Sequence, residues 1–157
     1  MFAKIDQMNT VFDKIIAGEI KSWKVWEDER YLAFLTPFPN TPGVTIVIPK
    51  KNVGDYIFSI GDSEYLGLME ASKKVAKILE KAFNTPRVGL VLEGTGVAYV
   101  HAKLFPFHGE LAGKTDVWSK TTEFNPDYLG WITTIEGPKM SDEELDEIQA
   151  KILNVQK

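Results

Sequence analysis

Short runs of β-branched and aromatic residues, separated by turn residues, predict the strands of this chain. Four of these runs are residues 23–27, 31–36, 44–48 and 87–93. A fifth strand is predicted to begin directly after the glycine turn at Gly94 and Gly96. In it, Tyr99, His101 and Lys103 alternate with apolar residues, and alternate side chains of a strand share one face. The sequence therefore predicts a strand with one apolar face and one face that carries reactive groups.

Apolar residues recur at helical spacing in three other segments, and each has a start signal. The first helix is predicted to begin at Thr10, whose side chain can cap it while Asp13 reaches back. The second and longest spans residues 62–83, and a third follows the capping box at residues 141–144. The order helix, three strands, helix, two strands predicts an α+β domain with one five-stranded antiparallel sheet.

Length and composition fit one ordinary domain with a small appendage. The chain has 157 residues, of which 44% are hydrophobic, enough for a buried core. We expect the domain to cover residues 1–108 and a C-terminal extension to cover residues 109–157. The extension has a terminal helix and large aromatic residues, which are predicted to pack on the domain or on a partner. These aromatic residues are Trp118, Phe124, Tyr128 and Trp131.

Charge and residue usage exclude several classes of function. A net charge of −4 argues against binding to a long nucleic acid. The chain has no apolar run long enough to cross a membrane, and we expect no secretory signal. It has no cysteine and only two histidines, which excludes a thiolate zinc site and gives little support to any other metal site. We therefore expect a cytoplasmic protein without a metal or cofactor.

The segment around the glycine turn is the strongest candidate site. The backbone N–H groups of Gly94, Thr95 and Gly96 can converge on a phosphate, and Lys103 adds a positive charge nearby. This turn does not fit a dinucleotide fingerprint, because it leads into a strand and position 99 is tyrosine. A second glycine-rich stretch, residues 109–115, is one residue short of a P-loop and is predicted to be an exposed loop. Taken alone, a histidine on a strand is more often structural than catalytic.

Five sequence segments together resemble the histidine-triad (HIT) family. They are Phe-Asp-Lys-Ile-Ile-Ala-Gly-Glu-Ile at residues 12–20, Val-Trp-Glu-Asp at residues 25–28, Leu-Ala-Phe-Leu at residues 32–35, Pro-Gly-Val-Thr-Ile-Val-Ile-Pro-Lys-Lys at residues 42–51, and the His101 strand. The match runs from about Thr10 to His108. The resemblance implies a five-stranded antiparallel sheet with the long helix packed on it, in a homodimer. It also implies a nucleoside phosphoramidase or dinucleotide hydrolase that acts at the α-phosphate of a nucleotide.

The resemblance also assigns residues to roles. The family fingerprint His-x-His-x-His falls on Tyr99, His101 and Lys103, so that only the middle histidine, the nucleophile, is kept. Phe12, Ile20 and Phe34 match positions that line the base pocket, and ordinary core packing explains them equally well. Thr36 stands where an acidic residue usually holds the ribose hydroxyls. The chain departs from common family residues at Thr10 and Asp13, where some members have zinc-binding cysteines, and at Val44 and Asn52, where many have histidine.

The mechanistic hypothesis is that His101 attacks the α-phosphorus and forms a nucleotidyl-histidine, which water then cleaves. Lys103 and the glycine turn would hold the charged oxygens, and Tyr99 would position the leaving group. Two alternatives stay open. One is a catalytically weakened nucleotide-binding or scaffold protein of the same fold, and the other is an interaction module built on residues 118–131.

Overall fold

The computed structural model describes residues 10–127 and Glu143. The chain divides into two compact units, residues 1–117 and residues 118–157. In the second unit, Trp118 and Phe124 are exposed. Tyr128, Trp131 and the predicted terminal helix, apart from Glu143, lie outside the described residues. The predicted domain boundary after His108 stays a prediction.

The first unit contains a five-stranded antiparallel sheet with strand order β1-β2-β3-β5-β4. The elements are α1 (Val11–Ile16), β1 (Trp23–Glu27), β2 (Tyr31–Leu35), β3 (Thr45–Pro49), a short 3₁₀ turn (Ile57–Ser59), α2 (Asp62–Phe83), β4 (Val88–Val91), β5 (Ala102–Pro106) and α3 (Glu110–Gly113). The α+β fold predicted from the sequence is confirmed, including the long helix. The short helix α3 falls where an exposed loop was predicted.

The two faces of the sheet pack against different helices. Leu68 and Val75 of α2 lie against one face, in a cluster with Val47 and Leu104. Phe12 of α1 lies in a separate cluster, with alternate residues of β2 and β3, on the other face. Strands β2 and β3 therefore have buried side chains on both faces, which explains their nearly continuous apolar sequences.

Helix α1 is fixed at its start by a capping box. The Thr10 hydroxyl oxygen accepts a hydrogen bond from the Asp13 N–H, and the Asp13 carboxylate accepts one from the Thr10 N–H. This pairing satisfies two backbone donors that a helix start otherwise leaves free. It also gives both residues a structural role at positions where some family members place zinc-binding cysteines.

The fifth strand is shorter than predicted. It begins at Ala102, whereas Tyr99 and His101 precede it in an irregular segment. Two backbone hydrogen bonds hold this segment: Tyr99 N–H to the Val97 carbonyl at 2.8 Å, and Val100 N–H to the Gly54 carbonyl at 2.7 Å. The second bond ties the chain to the loop after β3, so that it cannot extend the ladder at that point. The prediction of a strand directly after the glycine turn was wrong in its extent.

The predicted alternation of faces nevertheless survives in this segment. Val100, Ala102 and Leu104 join the core under α2. Tyr99 belongs to the cluster around Phe12 on the opposite face. His101 packs against the same Phe12 ring. The side chains therefore reach the two sides of the sheet as the pattern indicated, although the backbone is not a strand throughout.

Candidate functional site

A pocket of about 290 Å³ opens on the face of the sheet that carries α1. All four residues predicted to contact a nucleoside line it: Phe12, Ile20, Phe34 and Thr36. His101, Lys103, Thr95 and Gly96 line it as well. The structure therefore places the predicted nucleophile, one part of the glycine turn and the predicted nucleoside-contacting residues around one cavity.

Aromatic rings form the apolar wall beside His101. The Phe12 ring meets the Phe34 ring edge to face at 5.6 Å between centroids and the His101 ring in the same way at 5.3 Å. Trp23 and Phe38 also line the pocket and are exposed. An apolar cavity with a few polar groups is typical of sites for small ligands.

His101 is buried, with 3% of its surface exposed, and its ring has a defined orientation. Its Nδ1 lies 2.6 Å from the backbone carbonyl oxygen of Tyr99. Because a carbonyl oxygen can only accept a hydrogen bond, Nδ1 must carry the proton. The lone pair of the neutral ring then resides on Nε2, the nitrogen needed for attack on an electrophile.

Burial lowers the pKa of the His101 imidazole, because it disfavours the charged form. The hydrogen bond to the Tyr99 carbonyl opposes this shift, and the charges of Lys103 and Glu93 act in opposite directions. The net lowering of the pKa keeps the ring neutral near pH 7. A neutral imidazole is the form that can act as a nucleophile.

Tyr99 has a packing role in place of the predicted contact with a leaving group. Its side chain is fully buried, and its hydroxyl donates a hydrogen bond to the Pro49 carbonyl oxygen at 2.7 Å. The ring packs edge to face on Phe12 at 5.6 Å, and the residue is not among those that line the pocket. Burial raises the pKa of the Tyr99 hydroxyl, which therefore stays a donor at all ordinary pH values.

Lys103 lines the pocket, but its ammonium forms a salt bridge with Glu93. The side chains of Lys103 and Glu93 are 27% and 13% exposed, so the pair is largely shielded from water. The prediction of a free positive charge for an anion therefore needs correction, because a carboxylate already compensates that charge. Sequence reasoning missed Glu93, although the predicted strand 87–93 would have placed it on the same face as Val91, which pairs with Lys103.

The residues of the glycine turn have two different positions: Gly94 lies close to the Asp55 carbonyl, and Thr95 and Gly96 line the pocket. Gly94 and Gly96 both have positive φ, 67° and 81°, which favours glycine. A side chain at Gly94 would collide with the Asp55 carbonyl oxygen, and Gly94 does not line the pocket, contrary to its predicted role. Thr95 and Gly96 do line it, and no backbone carbonyl among the described residues accepts from their N–H groups.

The remaining departures from the family pattern have structural roles. Val44 is part of the buried core. The Asn52 side-chain oxygen accepts a hydrogen bond from the Gly54 N–H at 3.0 Å, which shapes the loop that anchors Val100. In residues 10–127, no three His, Cys, Asp or Glu side chains are grouped so as to hold a metal ion. None of the described helices is long and apolar enough to cross a membrane.

Comparison with known proteins identifies the family of this chain. Residues 17–106, more than half of the chain, match the family model described as HIT domain. The chain belongs to the HIT family. Among its HIT relatives, the Bacillus subtilis protein named Protein hit is 33% identical over 132 residues, which cover 80% of this chain and 90% of that protein. An uncharacterised HIT-like protein of Methanocaldococcus jannaschii is 34% identical over 100 residues, covering 61% of this chain and 77% of that one.

Solved structures of HIT proteins share the fold. A HIT family member from Bacillus subtilis superposes with a TM-score of 0.64 at 29% identity, covering 94% of this chain and 96% of that one. A HIT family protein from Bacillus anthracis gives a TM-score of 0.63 at 30% identity, covering 95% and 98%. Membership of the HIT family supports a nucleotide-binding or hydrolase-type function in general terms.

Proposed function

We propose that this HIT protein is a nucleotide hydrolase or transferase that acts at an α-phosphate through a covalent nucleotidyl-histidine. The observation that carries the proposal is the state of His101. It is a neutral imidazole whose Nδ1 hydrogen is engaged by the Tyr99 carbonyl, and it lines an apolar cavity of about 290 Å³. A nitrogen lone pair oriented by a second hydrogen bond is the usual arrangement of an activated histidine nucleophile.

In the first step, the lone pair of His101 Nε2 attacks the α-phosphorus and an N–P bond forms. The bond from phosphorus to the leaving group breaks, and the leaving group keeps the electron pair and takes a proton from solvent. In the second step, a water oxygen attacks phosphorus and releases one proton to solvent. The N–P electron pair then returns to Nε2, so that the enzyme is regenerated.

The charged oxygens of the α-phosphate would lie against the turn. The N–H groups of Thr95 and Gly96 have no backbone partner among the described residues, and both residues line the pocket. Backbone donors fixed in a turn stabilise a developing negative charge without reorganisation. Lys103 would contribute as part of its pair with Glu93.

The nucleoside would occupy the apolar part of the pocket. Phe12, Ile20 and Phe34 offer rings and aliphatic surface to the base, and Thr36 lines the same pocket as a polar residue that could contact the ribose. Apolar contact of this kind supplies affinity with little selectivity for one base. The homodimer and the cytoplasmic location stay predictions from the sequence.

The test is to incubate the protein with adenosine 5′-phosphoramidate, quench it with acid-free denaturant and measure its intact mass. We expect an added adenylyl group on the wild-type chain and on His108→Gln, and none on His101→Gln. His108 is a suitable control because it is the other histidine of the chain, and its Nε2 lies 2.8 Å from the Pro42 carbonyl oxygen. Nucleotide binding without adduct or turnover would overturn the enzymatic proposal in favour of a nucleotide-binding or scaffold protein.

A further inference from the structure

A second cavity, of about 320 Å³, lies where β2 begins and β3 ends, beside the first turn of α2. It shares no lining residue with the His101 pocket. Tyr31, which lines it, belongs to the core cluster under α2, whereas the His101 pocket opens on the face that carries α1. Its volume lies within the range of sites that hold small organic molecules. The cavity is therefore separate from the candidate active site.

Charged residues of both signs line this second cavity: Glu29, Arg30, Lys50, Lys51 and Glu64. Lys50 is already compensated, because its ammonium lies 3.1 Å from the Glu27 carboxylate. The other four form no salt bridge with any residue of the part of the chain that the structure describes. Two cations and two carboxylates around one cavity are therefore left for a ligand or for water.

Tyr31 brings opposite charges close to one buried ring. The Arg30 guanidinium lies 5.3 Å from the centre of the Tyr31 ring, and the Tyr31 hydroxyl donates a hydrogen bond to the Glu64 backbone carbonyl at 3.4 Å. Burial raises the pKa of the Tyr31 hydroxyl, while the charge of Arg30 opposes this shift and that of Glu64 adds to it. Glu64 is half-buried, so water screens its carboxylate less than that of a fully exposed residue.

We propose that this second cavity binds a small zwitterion, a free α-amino acid with an apolar side chain. Arg30 and Lys51 hold the carboxylate of the ligand, Glu64 and Glu29 hold its ammonium group, and its side chain lies against the Tyr31 ring. A simple anion would face two carboxylates without a cation of its own, and a simple cation would face two unpaired cations. A zwitterion matches both sets. The site does not depend on the reaction at His101.

The experiment is an NMR titration of the ¹⁵N-labelled full chain, at about pH 6.5, with three ligands of similar shape: leucine, leucinamide and 4-methylpentanoate. At this pH leucinamide carries only the positive charge of leucine, and 4-methylpentanoate carries only the negative charge. We expect leucine to bind with a dissociation constant of about 1 mM, as suits a ligand of this size, and the other two to bind about fivefold more weakly. The amide signals of Lys51 and Val53 should shift, and those of Thr95 and Gly96 should not.

Two variants assign the charges of the ligand to their partners. Glu64→Gln should weaken leucine about fivefold without weakening 4-methylpentanoate, because only leucine offers an ammonium group to position 64. Arg30→Gln should weaken leucine by the same factor without weakening leucinamide. Glu70→Gln, on the exposed side of the same helix, and Arg87→Gln, at the other arginine of the chain, are the matched controls. Both controls should change the affinity for leucine by less than about twofold.

Three results would overturn the proposal. The first is the absence of any shift at about ten times the expected dissociation constant. The second is equal binding of leucine and one of the singly charged ligands, which would indicate a plain anion or cation site. The third is a set of shifts at Thr95 and Gly96, which would place the ligand in the His101 pocket. Thermal unfolding checks that each variant folds, and if one does not, the comparison of the three ligands on the wild-type chain decides the question.

Discussion

Removal of the Tyr99 hydroxyl tests whether this residue belongs to the fold or to the chemistry. Tyr99→Phe keeps the buried ring and its contact with Phe12 but deletes the hydrogen bond to the Pro49 carbonyl. A net hydrogen bond contributes about 1 kcal/mol, and a buried polar group that loses its partner costs about 1–3 kcal/mol. Because Tyr99 and Pro49 are both buried, we expect a loss of about 1–3 kcal/mol in the free energy of unfolding.

The assay is urea unfolding followed by far-ultraviolet circular dichroism, together with the rate of adenylyl transfer to His101. The transfer rate of Tyr99→Phe should stay within about threefold of wild type, because a general acid or base contributes at least about a hundredfold and Tyr99 is expected not to act as one. Tyr56→Phe is the control, since Tyr56 is 57% exposed and should lose less than about 0.5 kcal/mol.

A purely structural role of Tyr99 is refuted if Tyr99→Phe unfolds at the wild-type urea concentration while adenylyl transfer falls a hundredfold or more. That result would mean that the hydroxyl acts on the substrate, as the mechanistic hypothesis from the sequence stated. If Tyr99→Phe loses both stability and transfer, the variant Tyr99→His is tested next, because histidine is the residue of the family fingerprint at this position. Recovery of transfer by histidine in a destabilised protein would again assign chemistry to position 99.

Two further predictions concern His101 and the glycine turn. The unfolded chain binds a proton on His101 at about the ordinary pKa of 6.5, whereas the folded chain does so only at lower pH, so stability should fall as the pH drops below about 6.5. His101→Gln should reduce this pH dependence in urea titrations, and an unchanged slope would contradict the lowered pKa. Gly94→Ala, which strikes the Asp55 carbonyl, should destabilise more than Gly96→Ala, which meets no atom within 4 Å and carries only about 1 kcal/mol of backbone strain. An equal decrease in melting temperature for these two variants would contradict the close approach of Gly94 to the Asp55 carbonyl.

The sequence predicted the fold because its local signals agree with one another. Thr10 and Asp13 form the predicted capping box, and α2 begins and ends at the predicted residues. The predicted nucleoside positions Phe12 and Phe34 do line the pocket, since the alternation of β2 and the stripe of α1 determine which face each side chain reaches. These features depend on residues close together in the chain.

The parts of the site that the sequence did not predict depend on contacts between distant segments. The Tyr99 hydroxyl bonds to Pro49, fifty residues away in sequence, and the Val100 N–H bonds to Gly54. Neither pairing leaves a periodic signal, so a tyrosine beside a histidine looked like an active-site residue. The ion pair of Glu93 was not predicted for a similar reason. Its partner Lys103 lies on the next strand, after an irregular connection.

The hydrogen bond that orients His101 ends on a backbone atom, the carbonyl oxygen of Tyr99. Every amino acid supplies that atom, so the side chain at position 99 can change during evolution without altering the tautomer of His101. This separation explains how a phenol can replace an imidazole here while the neighbouring ring keeps its lone pair on the same nitrogen. A library of substitutions at position 99 would therefore select for packing and folding, and the tautomer of His101 would stay the same.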